Sequence, residues 1–236
     1  MKNAIRKLLR QLGIYVKLYA NSDFAKVKKL LDHHQIDLVL DVGGNTGQYF
    51  KFLRAAGYCG RVVSFEPLSD AYFQLTEMSK KYPVWEIAPR TAIGNIEGEI
   101  SINIASNSQS SSLLEMLDRH KETFPESAYV GSETVKITKL DYIAPHYIAE
   151  NNRIFLKIDV QGYEQKVLEG ATGILPQVEG IQLEMSLVPL YEGELLLTEM
   201  LDYMKKLGYS LHYLSPVVFD PNTGQALQLD GIFFKL

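Results

Sequence analysis

The chain is poor in the features that mark several large classes of protein. Cys59 is the single cysteine among 236 residues. An intramolecular disulfide is therefore excluded, and the composition fits a reducing, cytoplasmic setting. Such a lone thiol is expected to be buried as a small apolar group. No apolar run approaches the ~20 residues needed to cross a bilayer, so no transmembrane span is expected. The net charge is -4, and without a basic surplus nucleic acid is not an expected partner. Dense Asp or His clusters are absent, so no obligatory metal is expected. There are no internal repeats and no low-complexity tracts. With 46% hydrophobic and 22% charged residues, the chain reads as globular, most simply one large domain.

The N-terminus differs locally. Lys2, Arg6, Lys7, Arg10 and Lys17 alternate with Ile5, Leu8, Leu9, Leu12 and Tyr19 at helical spacing. The charges interrupt any signal-peptide core, which argues against export by that route. A basic amphipathic helix can lie on an anionic membrane surface, making residues 1–20 a candidate peripheral contact. A helix packed on the domain, or a homodimer contact, is the plainer reading. The expected division is a helical extension over 1–34 and a domain over 35–236.

The densest signal is Leu38-Val39-Leu40-Asp41-Val42-Gly43-Gly44-Asn45-Thr46-Gly47. An apolar strand ends at an acid, and a glycine-rich turn leads into a helix beginning near Gln48. On that helix Tyr49, Phe52, Leu53 and Ala56 share one face, and Gly57 stops it. A tight turn at a helix N-terminus can cradle a small polar ligand. A phosphate loop would need Gly-Lys-Ser/Thr, but Gln48 and Tyr49 follow Gly47. A dinucleotide turn needs glycine at its first, third and sixth positions. Counted from Gly43, those are Gly43, Asn45 and Gln48. The pattern acid-x-Gly-x-Gly/Asn-x-Gly resembles instead the turn of S-adenosylmethionine (SAM) methyltransferases. A second strand, Arg61 to Phe65, ends at Glu66-Pro67. A carboxylate there can accept both hydroxyls of a ribose.

Apolar strands alternate with helices, which argues a parallel α/β sheet. Strands are expected over 37–42, 61–66, 87–93, 154–159 and 180–186, and helices near 46–56, 69–80, 163–172 and 194–207. Met200 and Met204 belong to an apolar stripe on the last helix and read as core. Segments 98–104 and 134–137 read as strands inserted before the fourth main strand. Two further strands, from Ser210 and from Gly231, flank a turn at Asp220-Pro221-Asn222-Thr223-Gly224 and suggest a closing antiparallel hairpin. Ligands sit beyond the carboxyl ends of such strands. Asp41, Glu66, Asp159 and Glu184 all arrive at that edge. Buried carboxylates are costly unless they are used, so a site explains them better than packing does. If their strands are neighbours, Asp159 and Glu184 lie about 5 Å apart in the backbone.

Residues 36 to 236 resemble the FkbM-type SAM-dependent methyltransferases. The likeness rests on Asp-Val-Gly-Gly-Asn-x-Gly, on Phe65-Glu66-Pro67, and on Leu156-Lys157-Ile158-Asp159-Val160-Gln161-Gly162-Tyr163-Glu164. It continues through Val167-Leu168-Glu169-Gly170-Ala171. Ala92-Ile93-Gly94, Ser110-Ser111-Ser112-Leu113 and Thr138-Lys139-Leu140-Asp141 stand in the family's order. The family usually has Glu where this chain has Gln161. The resemblance implies a Rossmann-like, seven-stranded, mostly parallel sheet ending in the antiparallel hairpin. It implies SAM as cofactor, held by Asp41, Gly43, Gly44, Asn45, Gly47, Glu66, Pro67, Ala92, Ser111 and Asp159. The acceptor it implies is a hydroxyl of a sugar, glycan or other small natural product.

Loss of a hydroxyl proton needs a nearby base. Asp159 is the first candidate and Glu184 the second. Glu164 falls on the following helix and is expected mainly to cap it. His146 and His212 are outside candidates, and His33-His34 reads as a solvated loop. Ser110 to Ser112 line either the ligand or an ordinary polar loop. Tyr142, Tyr147, Tyr191 and Tyr213 offer stacking surfaces for a sugar ring. The rival readings are a SAM-binding or partner-binding protein without catalysis, which needs no Asp159, and a nicotinamide dehydrogenase, which the glycine spacing disfavours.

Overall fold

The computed structural model describes residues 11–13 and 18–236. The basic stretch from Lys2 to Arg10, and Lys17, lie outside the described residues. The strands are β1 (Leu38–Val42), β2 (Arg61–Phe65), β3 (Trp85–Ile87), β4 (Ala92–Gly94), β5 (Gly98–Ala105), β6 (Tyr129–Lys139), β7 (Ile154–Ile158), β8 (Val178–Ser186), β9 (Tyr209–Phe219) and β10 (Ala226–Lys235). The principal helices are α1 (Asp23–His33), α2 (Gln48–Ala56), α3 (Ser69–Ser79), α4 (Asp118–Thr123), α5 (Glu164–Glu169) and α6 (Leu197–Lys206).

Seven strands form one sheet in the order β3-β2-β1-β7-β8-β10-β9. Pairing is parallel from β3 to β8, and β10 runs antiparallel to both β8 and β9. This is the mostly parallel sheet with a closing hairpin that the strand pattern suggested. The remaining strands form a three-stranded sheet, β4-β6-β5. The single strand expected over 87–93 divides between the two sheets. β3 ends at Ile87, and Pro89, which has no N–H for a ladder, lies in the connection to β4.

β1 and β7 are buried from end to end, as apolar strands covered on both faces must be. Val39, Val62, Phe155 and Phe234 pack with Val27 and Leu31 of α1 and with Phe50 and Leu53 of α2. Leu40, Val63, Leu156 and Leu183 pack on the opposite face with Val167 and Leu168 of α5 and with Met200 and Met204 of α6. The two methionines are thus core, as expected. From Asp23 onward the helical extension is built into the domain: Phe24 stacks on Phe52 at 4.7 Å between ring centroids. Ser22 caps α1 by accepting the N–H of Ala25.

Two expectations change. Cys59 is exposed, because Gly57 reverses the chain at φ 88° and Tyr58, 3% exposed, takes the buried place instead. On α2 Phe50, absent from the expected stripe, is buried together with Leu53 and Ala56, while Tyr49 and Phe52 turn toward a cavity. Phe50 is 1% exposed and stacks on Trp85 at 3.9 Å. Truncating it leaves a void in a packed layer. Phe50→Ala should cost about 3–5 kcal/mol, read as a lowered midpoint in urea denaturation with an unchanged slope.

Candidate active site

β1 delivers the chain into the turn Gly43 to Gly47. Gly43 has φ 81°, and a Cβ there would overlap the backbone carbonyl of Asp159. At Gly47, φ 85°, a Cβ would overlap the Trp85 ring. These glycines are demanded first by the protein's own packing: the tips of β1 and β7 lie against one another. The turn also positions an acid. The N–H of Asn45 donates to Glu66 Oε2 at 2.7 Å and the N–H of Leu68 to Oε1 at 2.8 Å. Glu66 is 3% exposed, and no Lys or Arg among the described residues forms an ion pair with it. Burial raises its pKa to about 7, against the pull of those two N–H groups.

Glu66 lines a cavity of about 500 Å³ beyond the carboxyl ends of the strands. Gly43, Gly44, Asn45, Pro67, Ala92, Ser111, Asp159 and Glu184 line it too. Asp41 and Gly47 do not. Asp41 is fully buried beneath the floor, so the expected direct contact with a ligand is replaced by a supporting role. Ser64 Oγ donates to Asp41 Oδ2 at 2.8 Å, and Trp85 Nε1 donates to Ser64 Oγ at 2.9 Å.

The partner of Asp41 is Lys157, at 3.3 Å. The same ammonium lies 3.4 Å from Asp159 and donates to the carbonyl of Gly43. Burial opposes its charge, but Asp159 and Asp41 outweigh that and raise its pKa. Gln161, in the left-handed region at φ 56°, completes the row. Its Nε2 donates to Asp159 Oδ1 and to Glu184 Oε2, each at 2.8 Å, and its Oε1 accepts from Tyr191 Oη at 2.8 Å. Asp159 and Glu184 are therefore neighbours, joined by an amide. Gln228 donates to Glu184 as well, and Asp230 stands opposite Glu184 in the β8–β10 register. Burial, then the charges of Asp159 and Asp230, push Glu184 well above the usual carboxylate range. Burial, then Asp159, raise Asp230 to about 7.

Residues 41–211 match the model of the methyltransferase FkbM domain. The chain belongs to the FkbM methyltransferase family. It is 29% identical over 163 residues to the hexuronic acid methyltransferase AglP of Haloferax volcanii, covering 67% of this chain and 60% of that protein. Among solved structures it is similar to SMU.1697c of Streptococcus mutans in complex with SAH, with TM-score 0.47 and 13% identity over 92% of this chain and 99% of that one. An rRNA methylase of Streptococcus thermophilus gives TM-score 0.47 and 15% identity over 93% and 99%.

Several expectations for this FkbM chain are redrawn by the geometry. Tyr142, Tyr147, Tyr191 and Tyr213 do not line the cavity; its aromatic walls are Tyr49, Phe52, Phe65 and Phe124. Tyr191 is 1% exposed and serves by holding Gln161. His146 and His212 are exposed and lie off the cavity. His34, expected in a solvated loop, stacks on Phe234 at 3.6 Å. Glu164 accepts the N–H groups of Val160 and Gly162, bracing the loop that carries Gln161; burial raises it to about 8. No group of three His, Cys, Asp or Glu residues suited to a metal occurs among the described residues. Sequence reading passed over Lys157, Asp230 and His120. For Lys157 a signal existed: it is the one charge inside the otherwise apolar strand Ile154-Phe155-Leu156-Lys157-Ile158.

Removing the Lys157 charge strands Asp41 in a dry interior. Lys157→Met should cost about 3–5 kcal/mol. Adding Asp41→Asn should restore a large part of it, because the stranded charge is gone. Chemical denaturation of the two single variants and the double variant measures the coupling.

Proposed function

We propose that this FkbM domain is a SAM-dependent O-methyltransferase acting on a hydroxyl of a sugar, glycan or other small natural product. One observation carries the reading: a single cavity is lined both by the buried Glu66 and by the clamped Asp159–Gln161–Glu184 group. The residues present fit the cofactor. A buried, unpaired carboxylate that lines a cavity suits a ligand with hydroxyl donors, as a ribose has. Leu68, Ala92, Ile93 and Ile102 offer an apolar wall beside it. Glu66 would hold the ribose, and Gly43, Gly44 and Asn45 the neighbouring polar part. SAM supplies a methyl group activated on a positively charged sulfur.

The chain's own part is positioning and proton handling. Lys157 and Gln161 fix Asp159 from two sides, so its carboxylate is held in one orientation. An acceptor hydroxyl held beside Asp159 and Glu184 has a place to leave its proton as the new O–C bond forms. The match to AglP, a hexuronic acid methyltransferase, supports a sugar as the acceptor class. The chain spans about 60% of that relative's length. The same reading has the enzyme working in the cytoplasm, where its exposed Cys59 stays reduced.

Calorimetry tests the cofactor. SAM should bind and NAD should not, and Glu66→Ala should weaken SAM at least tenfold; a chain that does not bind SAM sinks the reading. The pH dependence has a fixed sign. Free Glu66 has a pKa raised to about 7, whereas hydroxyl donors favour its ionised form. SAM affinity should therefore fall as pH drops below 7, by roughly tenfold per unit at most. Glu66→Gln should flatten that slope.

A further inference from the structure

Besides the carboxylates, the cavity is lined by a polar group of a different kind. Asn107 Nδ2 donates to Ser110 Oγ at 3.0 Å and to Ser127 Oγ at 3.1 Å, and the two serine hydroxyls lie 3.2 Å apart. Ser110 and Ser127 are 8% and 2% exposed. Beside them is His120 on α4, 4% exposed and also lining the cavity. Its Nδ1 is buried with no hydrogen-bond partner. An unpaired buried nitrogen costs about 1–3 kcal/mol, so its presence at a cavity wall points to a ligand that supplies the partner.

The His120 ring is held in place. It meets Tyr191 edge-on at 5.1 Å and Phe124 edge-on at 5.6 Å. The N–H of Leu117, just before α4, donates to the carbonyl of Leu190 at 2.9 Å, and Met116 bridges to Tyr191. Tyr191 is the residue whose hydroxyl fixes Gln161. The His120 wall is thus tied through one side chain to the Asp159–Glu184 pair. Burial lowers the His120 pKa to about 4, so the imidazole is neutral near pH 7 and adds no charge.

Charge narrows the ligand further. Glu66, Glu126, Asp159, Glu184 and Asp230 line the cavity against one ammonium, Lys157, among its described residues. That ammonium already faces Asp41 and Asp159. An added carboxylate would meet several others, and no further lysine or arginine among the described lining residues is left to balance it.

We infer that His120, with Asn107, Ser110 and Ser127, forms the acceptor subsite, and that it takes an uncharged sugar and rejects a uronate. The inference rests on the proposed methyltransferase function and deepens it. A neutral pyranose offers hydroxyls that both donate and accept, which matches serine, amide and imidazole groups. Phe124, which also lines the cavity, gives an apolar surface for the sugar's C–H face. His120 selects the acceptor by touching it, and the proton goes to the cavity carboxylates Asp159 and Glu184.

The test is methyl transfer from labelled SAM to two sets of probes. One set is the methyl glycosides of glucose, galactose, mannose, rhamnose and fucose; the other is glucuronate and galacturonate. At least one neutral glycoside should be methylated, at ten times or more the rate of either uronate. For that glycoside, His120→Phe, which keeps the ring contacts, should raise KM at least tenfold with kcat changed less than threefold. His120→Asn, which keeps a hydrogen-bonding group near Nδ1, should recover part of the loss. SAM affinity should be unchanged in both variants. Faster transfer to a uronate, transfer to none of the probes, or an unmoved KM in His120→Phe each overturns the inference while the cofactor reading stands. Failure of the wild-type chain to bind SAM in calorimetry removes the function reading and this inference with it.

Discussion

A single ammonium, that of Lys157, sits where two strands, a turn and the Asp159 carboxylate meet. Moving an ion of this size out of water costs several kcal/mol even after relaxation. The cost is offset here by two carboxylates and a carbonyl arranged around the charge: Asp41, Asp159 and Gly43. Because those groups belong to β1, to the end of β7 and to the turn after β1, satisfying the lysine fixes the three segments relative to one another. Asp41 is held from its other side by Ser64, and Ser64 by Trp85. The ion pair is thus the middle of a chain that crosses the sheet from β3 to β8.

The same arrangement sets where the apolar core ends and the polar lining of the cavity begins. Asp41 and Lys157 stand in register on adjacent strands, and Lys157 in turn stands in register with Gln182 on β8. One step further along lie Asp159, Glu184 and Asp230. The apolar clusters below and the acidic rim above are therefore successive rows of one face, and the row of Asp41 and Lys157 is the boundary between them. Tyr49 closes that boundary from α2: its hydroxyl donates to Gln182 Oε1 at 2.8 Å while its ring lies 5.3 Å from the Lys157 ammonium.

The sheet was legible in the sequence because its central strands are covered on both faces, so they appear as unbroken apolar runs ending in acids. The hairpin was legible from its turn. What escaped reading was set by partners distant in sequence. Asp230 is an ordinary acid near the C-terminus until β10 places it opposite Glu184. His120 lies on a six-residue helix with no periodic face, and only the return of the chain at Tyr191 brings it to the cavity. Asp41 was recognised as important but assigned to the ligand, because its register with Lys157 is invisible along the chain. Gly43 and Gly47 were read as room for a ligand, and the close approach of Asp159 to Gly43 and of Trp85 to Gly47 is a second demand that the chain alone does not reveal.

Gln161 shows how one position can change a site's charge without changing its frame. The residue occupies a left-handed backbone position, followed by Gly162 and braced by Glu164, so the loop's shape does not depend on the side chain's charge. What the amide contributes is a pair of N–H donors, one for each of two acids. A glutamate in its place, as the family usually has, would set a third carboxylate between those two, and like charges at that distance cannot all stay ionised. It would have to carry a proton, or make its neighbours carry one. With glutamine, Asp159 and Glu184 are brought together by a group that holds no proton to exchange. The remaining acid beside Glu184 is Asp230, which stands opposite it in the β8–β10 register; burial and the nearby Asp159 charge raise the pKa of both.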